Sequence, residues 1–430
     1  MSKFRSVSLA SLGVLARTAG ALALNKLVAT LGPVGGLTAL AQFQNLLALF
    51  TALPAEGTHV GLLTYLAPLR PGSGRYRAWL AAAVWLNAAT LLGGGFLLLG
   101  TGRAGLSYPA VAALLLGLAL LLAQSLLSTL LLAAGRLPAY VAATAALALL
   151  GPLGAGLALL AGQPIPSVGL ANLAGQGLSL PPTAWLVWRT RTLAPPARPQ
   201  GSGGQSWASL RVPASALHGL LGFGLMGAST LLFGRAVDYA VRAHLLATFG
   251  PARTDGWQAV ARLSDNYAMV FGAVAAAVFY PRLAALAPRP AEARAYVRRT
   301  LAHVAPLLAA GLALLYFSRG WLLPLLYSPR LATAAPLLLP QLLGDWARLL
   351  SWLLIYQLLA RAQTARYVAV QAVSAVIYVG LLALLLPRLG LAGAVWAQAL
   401  RSGLVLVAMV VYHLSGGWRG GGPCKAAPRA

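Results

Sequence analysis

The chain has 430 residues, 59% of them hydrophobic and only 9% charged, with a formal net charge of +26 at pH 7. A soluble globular surface carries about 25% charged residues, so this composition excludes a water-clad globule and suits an outer face solvated by lipid. Its charge is nearly all arginine, with Lys3, Lys26 and Lys425 the sole lysines. No basic face or aromatic-stacking motif accompanies that charge, which excludes nucleic acid as a partner.

Taken in chain order, continuous Leu- and Ala-rich stretches predict spanning helices at 8–31, 37–67, 78–101, 108–134, 138–162, 165–188, 212–243, 256–284, 300–317, 332–360, 367–386 and 390–414. The N-terminal stretch is too long for a signal-peptide core and is expected as a retained first helix. A membrane barrel would need alternating segments of about ten residues, and these stretches do not alternate. With the N-terminus placed in the cytoplasm, twenty basic residues fall in inside segments and six in outside loops. That asymmetry obeys the positive-inside rule and supports twelve spans with both termini cytoplasmic.

The basic, Pro/Gly/Ser-rich stretch 189–211 is expected as a cytoplasmic linker. It would separate a six-helix lobe at 1–188 from a second at 212–415, leaving a cytoplasmic tail at 416–430. The lobes carry a matching element. Leu27-Val28-Ala29-Thr30-Leu31-Gly32-Pro33 ends the first span and Leu245-Leu246-Ala247-Thr248-Phe249-Gly250-Pro251 follows the seventh. A parallel repeat of six helices predicts an all-α transporter architecture, two pseudo-symmetric lobes around a central cavity.

Charges inside the spans are costly in hydrocarbon and should face water or one another. The basic ones are Arg17, Lys26, Arg235, Arg262, Arg348 and Arg401; the acidic ones are Glu56, Asp238, Asp265 and Asp345. Arg235/Asp238, Arg262/Asp265 and Asp345/Arg348 stand at i,i+3, close enough to pair on one helix face. Arg17 lies about 14 Å into its span, counted at 1.5 Å per residue, and neither it nor Arg401 has such a partner. The excess of basic groups predicts a cationic cavity that takes an anion, with guanidinium forks suited to pyrophosphate. The four carboxyls are candidates for proton coupling or for charge pairing. Gly/Pro interruptions such as Leu53-Pro54-Ala55-Glu56-Gly57 predict bends in the long first, second, seventh and eighth spans.

No lysine follows a Walker A glycine pattern, which argues against direct ATP drive. The single cysteine, Cys424, and the scattered histidines provide neither a disulfide nor a metal site, and no cofactor is expected. Outside loops of at most about a dozen residues argue against a membrane polymerase or ligase. Pro71-Gly72-Ser73-Gly74-Arg75-Tyr76-Arg77 lacks the aspartate of a major-facilitator loop.

The run Asn25 to Leu37 followed by Ala41-Gln42-Phe43 resembles the start of bacterial O-antigen translocases and lipid III flippases. The resemblance continues at Gly61 and Tyr65-Leu66-Ala67, at Trp257-Gln258 with Ser264-Asp265-Asn266-Tyr267, and at Leu342-Leu343-Gly344-Asp345-Trp346-Ala347-Arg348. These families form the polysaccharide-transporter branch of the multidrug/oligosaccharidyl-lipid/polysaccharide exporter superfamily. The resemblance implies a non-enzymatic flippase of the bacterial inner membrane. Its implied substrate is an undecaprenyl-pyrophosphate-linked oligosaccharide carried from cytoplasmic to periplasmic leaflet by alternating access. A proton or sodium counter-ion and a polysaccharide polymerase are the implied partners besides membrane lipid. The chain departs from the family at Val60 and Thr64, where Asn and Lys precede the second-span tyrosine. A cation-coupled exporter of drugs or soluble metabolites is the alternative within the superfamily.

Overall fold

The computed structural model describes residues 3–66, 69, 71, 73–100, 107–190, 192, 213–286, 288–361 and 363–415. The expected linker lies outside the described residues from 193 to 211, as does the 416–430 tail. Every regular element among the described residues is helical. In chain order the α-helices are α1 (Lys3–Leu31), α2 (Gly36–Leu53), α3 (His59–Leu66), α4 (Gly74–Gly100), α5 (Tyr108–Ala133), α6 (Leu137–Leu160), α7 (Ile165–Gly177), α8 (Leu180–Arg189), α9 (Ala214–Thr230), α10 (Val237–Val274), α11 (Tyr280–Leu286), α12 (Pro290–Phe317), α13 (Arg319–Leu326), α14 (Leu338–Ala360), α15 (Thr364–Leu389) and α16 (Leu391–Leu414).

Nine stretches among the described residues are helical, long enough and apolar enough to cross a membrane. The longest, Ala214–Val274 with 61 residues, holds the seventh and eighth spans in one run. The sixth span is divided into α7 and α8, because Pro181 and Pro182 cannot continue the hydrogen-bond ladder from α7. The tenth span is α14, whose Asp345 and Arg348 lower its hydropathy. With these the twelve-helix reading is accounted for.

Several spans are interrupted by π-helical turns, and the sequence gives the reason for the first. Pro54 has no backbone N–H, and the chain runs as a π-helix over Pro54–Thr58 between α2 and α3. Similar π-turns occupy Leu231–Ala236, joining α9 to α10, and Ala275–Phe279, joining α10 to α11. The second, seventh and eighth spans, expected to bend, each carry a π-turn. The first span differs, since α1 is unbroken from Lys3 to Leu31.

Contacts divide the described chain into two compact units: unit 1 draws on residues 1–24 and 39–240, unit 2 on 25–38 and 241–430. The division does not fall at 189–211. Helix α9, expected to open the second lobe, belongs to unit 1, and the end of α1 belongs to unit 2.

Glycine contacts account for the place of α9. A Cβ added at Gly57 would lie 3.0 Å from Gly224 Cα, and one at Gly227 would lie 3.0 Å from Gly57 N. The π-turn and α9 thus meet backbone to backbone, as small residues permit in a spanning bundle. Leu220 and Ala216 of α9 complete a buried cluster with Leu62, Leu66, Leu80 and Leu130. In unit 2, α14 is the central helix. A Cβ on Gly344 would meet Ala399 Cα of α16 at 2.7 Å, and Leu353, Leu354 and Leu358 pack with Phe279, Leu283, Val297 and Met409.

The repeated Gly-Pro turns both lie in unit 2, and they differ locally. In the second copy Gly250 adopts φ +73 and Pro251 starts the next helical run directly. That single residue replaces the loop expected over 244–255, because glycine supplies the left-handed turn and proline suits a first helical position. In the first copy the positive φ, +87, falls three residues later, at Gly35. A side chain there would collide with Pro251, so the two turns touch each other.

Candidate functional sites

The predicted charged residues distribute between the units. Arg17, Glu56, Arg235 and Asp238 lie in unit 1; Lys26, Arg262, Asp265, Asp345, Arg348 and Arg401 lie in unit 2.

In unit 1, Gly13 of α1 faces Val141 and Thr144 of α6, and Gly20 approaches the Ala148 carbonyl of the same helix. These contacts run α1 and α6 in parallel. Arg17, between the two glycines, stands level with about the eighth residue of α6, roughly 11 Å below that helix's start at 1.5 Å per residue. Its side chain is exposed and reaches back toward the helix start, where Nη2 donates to the Tyr140 hydroxyl at 3.2 Å. The side chain is thus turned along α6 toward that helix's first turn. No ion pair engages Arg17 among the described residues. Arg235 and Asp238 are both exposed, at the π-turn and the start of α10. The Glu56 backbone lies in the π-turn after α2, and its side chain falls outside the described ones.

Beside that π-turn, unit 1 contains a polar cluster that sequence reading passed over. His59 is 4% exposed. Its Nε2 lies 3.1 Å from Asn87 Nδ2 of α4 and its Nδ1 lies 3.0 Å from Ser125 Oγ of α5. Both ring nitrogens are therefore used, as a buried imidazole requires. The histidines were read as scattered because α3, α4 and α5 meet only in the fold.

In unit 2, Asp345 has no solvent exposure and is the focus of a larger network. Arg348 Nη2 lies 2.9 Å from Asp345 Oδ1, the pairing expected at i,i+3. Ser264 Oγ donates to Oδ2 at 2.6 Å, the Tyr267 hydroxyl donates to the same oxygen, and Gln341 Nε2 reaches both carboxylate oxygens at 3.2 Å. Arg348 Nη2 also contacts Ser264 Oγ at 2.8 Å, and its guanidinium lies 5.6 Å from the Trp352 ring centroid. Every donor around it is directed at the buried carboxyl, so its hydrogen-bonding capacity is met inside the protein. Arg401 sits with its guanidinium 4.7 Å from the Tyr378 ring. Arg262 is half-buried and Asp265 exposed, and both act electrostatically on Tyr327 in the connection after α13. Burial raises the pKa of that tyrosine hydroxyl, and Arg262 opposes the rise.

Lys26 occupies a different kind of position. Its Nζ donates to the Leu325 carbonyl at 2.8 Å and to the Pro324 carbonyl at 3.3 Å, at the C-terminal end of α13. Arg330 does the same for α1, with Nη2 on the Ala29 and Gly32 carbonyls at 2.6 and 3.0 Å. Cations there satisfy orphan carbonyls and complement the helix dipole.

Asp255, counted by sequence as a loop residue, is a buried cap. Its carboxylate accepts from Gly35 N at 2.7 Å, Thr38 N at 2.8 Å and Thr38 Oγ1 at 2.7 Å. It satisfies the free N–H groups at the start of α2. Nearby, the buried Arg242 donates from Nε to Gln258 Oε1 at 2.7 Å and lies 5.6 Å from the Trp257 ring. The repeat of the Gly-Pro element was the sequence signal that pointed to this place.

No group of three or more metal-ligating side chains occurs among the described residues.

The described residues thus form an all-α membrane protein whose buried ion-paired and polar clusters lie among spanning helices. No protein-family model matches the chain, and no curated protein matches it significantly. Among solved structures it resembles an inward-facing multidrug resistance MATE family transporter of the MOP superfamily, at TM-score 0.75 and 13% identity over 96% of this chain and 98% of that one. It also resembles the lipid II flippase MurJ in an inward closed conformation, at TM-score 0.70 and 10% identity over 95% and 87%. A third likeness is to the Vibrio cholerae MATE transporter VcmN in its bent form, at TM-score 0.63 and 15% identity over 96% and 95%. The chain has the fold of these proteins.

Proposed function

We propose that the protein is a flippase that carries an undecaprenyl-pyrophosphate-linked oligosaccharide from the cytoplasmic to the periplasmic leaflet of the bacterial inner membrane. The observation that carries this reading is Arg17. A guanidinium on an apolar spanning helix, exposed and held among the described residues by a neutral tyrosine hydroxyl, is equipped to receive an anion. Arg401, resting against Tyr378, supplies a second cationic group in unit 2. Arg348 is committed to Asp345, so its part is to hold that carboxyl in place. Lys26 holds α13, so its part in substrate binding is secondary. The likeness to a lipid II flippase supports a lipid-linked cargo. Transport exposes the cationic groups to one leaflet and then the other, with a proton or sodium ion as counter-ion and Asp345, Asp265, Asp238 or Glu56 as its carboxylate.

Fold likeness to multidrug transporters favours a second reading, a cation-coupled exporter of drugs or soluble metabolites. Expression of the chain in a strain lacking its lipid-linked oligosaccharide flippase separates the two. Restored surface glycan supports the flippase; no rescue together with acquired drug efflux supports the exporter.

A further inference from the structure

We propose that one end of unit 1 binds the phosphate headgroup of an anionic membrane phospholipid between Arg136 and Arg189. The two residues are brought together by opposite helix ends. Gly135, at φ +69, turns the chain out of α5, and Arg136 immediately precedes α6. Arg189 is the last residue of α8. Between them lies an open groove of about 540 Å³, lined also by Pro138, Ala139, Ala142, Leu186 and Thr190.

The lining has the polarity of a lipid. Two exposed guanidiniums border an apolar patch in which Ala139 is buried, Leu186 half-buried, and Pro138 and Ala142 exposed. Neither arginine is in an ion pair among the described residues, and Glu56 and Asp238 are the sole acids in the sequence of unit 1. Arg189 is oriented by Trp185, whose ring centroid lies 4.9 Å away. Trp185 and the neighbouring Trp188 are 49% and 76% exposed, the arrangement of aromatics at a membrane–water boundary. Arg17 turns toward this same end of α6 through Tyr140, adding to its positive field. The basic loops place this end at the cytoplasmic leaflet, where anionic lipids meet basic pockets between spanning helices. A soluble phosphate would satisfy the arginines and would leave the apolar patch and the tryptophans without a role.

The test is retention of phosphatidylglycerol and phosphatidylethanolamine with matched acyl chains by the full-length, detergent-purified protein, read by native mass spectrometry. The wild type should retain phosphatidylglycerol preferentially. Combining Arg136→Ala with Arg189→Ala should weaken that binding about thirty-fold, to the phosphatidylethanolamine level. Excess inorganic phosphate should not displace the lipid. Equal retention of the two lipids by the wild type, or undiminished phosphatidylglycerol binding in the double variant, overturns the proposal. Displacement by inorganic phosphate reassigns the groove to a free anion and overturns it too. Ala142→Trp covers the apolar patch of the groove while keeping both charges. It should also lose the lipid, and its result decides if the double variant does not purify as a folded protein. The readout needs no transport and stands apart from the flippase reading.

Discussion

Arg348 and Asp345 stand one turn apart on α14 and form a 2.9 Å ion pair around a carboxylate with no solvent exposure. Removing one partner of such a pair leaves an uncompensated buried charge, at a cost of about 3–5 kcal/mol. Arg348→Met should therefore lower the thermal unfolding midpoint of the purified protein sharply. Combining it with Asp345→Asn should recover part of the loss, since Ser264, Tyr267 and Gln341 can still bond a neutral amide. A double variant no more stable than Arg348→Met alone would show that the pair is not the source of the effect.

Asp255 supplies three hydrogen bonds to the turn at Gly35 and Thr38. Charge-assisted bonds to otherwise unpaired N–H groups are worth about 1.5–3 kcal/mol each at most, so Asp255→Ala should destabilise unit 2 more than a change at an exposed acid such as Glu292. Gly35→Ala should be damaging by a separate route, combining a positive φ of 87 with collision against Pro251. Hydrogen exchange over residues 25–38 should rise in both variants, and unchanged protection there would count against the turn as a pin.

The fold was largely legible because twelve apolar stretches of spanning length leave few alternatives, and the loop arginines fix their parity. The interruption at Pro54 was legible, since a missing N–H is a local property of the residue. Asp345/Arg348 was legible because i,i+3 is also local. The assignment of α9 to unit 1 was not. It depends on Gly57 meeting Gly224 and Gly227 across 167 and 170 positions of sequence, and glycine is as compatible with flexibility as with close approach. His59 and Asp255 were missed for a related reason. Their partners, Asn87, Ser125, Gly35 and Thr38, are distant in sequence and ordinary in composition.

The glycine contact between the π-turn and α9 makes a sharp contrast possible. Gly57→Leu places a side chain where Gly224 Cα is 3.0 Å from the Cβ position, and the facing backbone cannot retreat without separating the helices. The folded yield of that variant should collapse. Gly222, two residues before Gly224 on α9 and so on another face, has nothing within 4 Å of its Cβ position, so Gly222→Ala should leave yield unchanged or slightly improved through helix propensity. Fluorescence-detected gel filtration of tagged variants measures both. Comparable profiles for Gly57→Leu and the wild type would mean that the helices are not in backbone contact.

Arg17 gives the most direct test of the transport reading. Its side chain is exposed and, among the described residues, bonds Tyr140 alone, so Arg17→Ala removes little packing and should insert and fold normally. Loss of the guanidinium removes a bidentate phosphate donor, and lysine restores the charge without the fork. The expected order in surface-glycan complementation is wild type, then Arg17→Lys, then Arg17→Ala near background, at equal membrane abundance. Arg401→Ala should likewise lose transport, although it also gives up the contact with Tyr378 and should be somewhat less stable. Tyr140→Phe supplies the control. It deletes the hydroxyl that holds Arg17 while leaving the charge, so transport should fall by a few-fold at most. Full complementation by both Arg17→Ala and Arg401→Ala would remove the cationic basis for an anionic cargo and turn the reading toward drug or metabolite export.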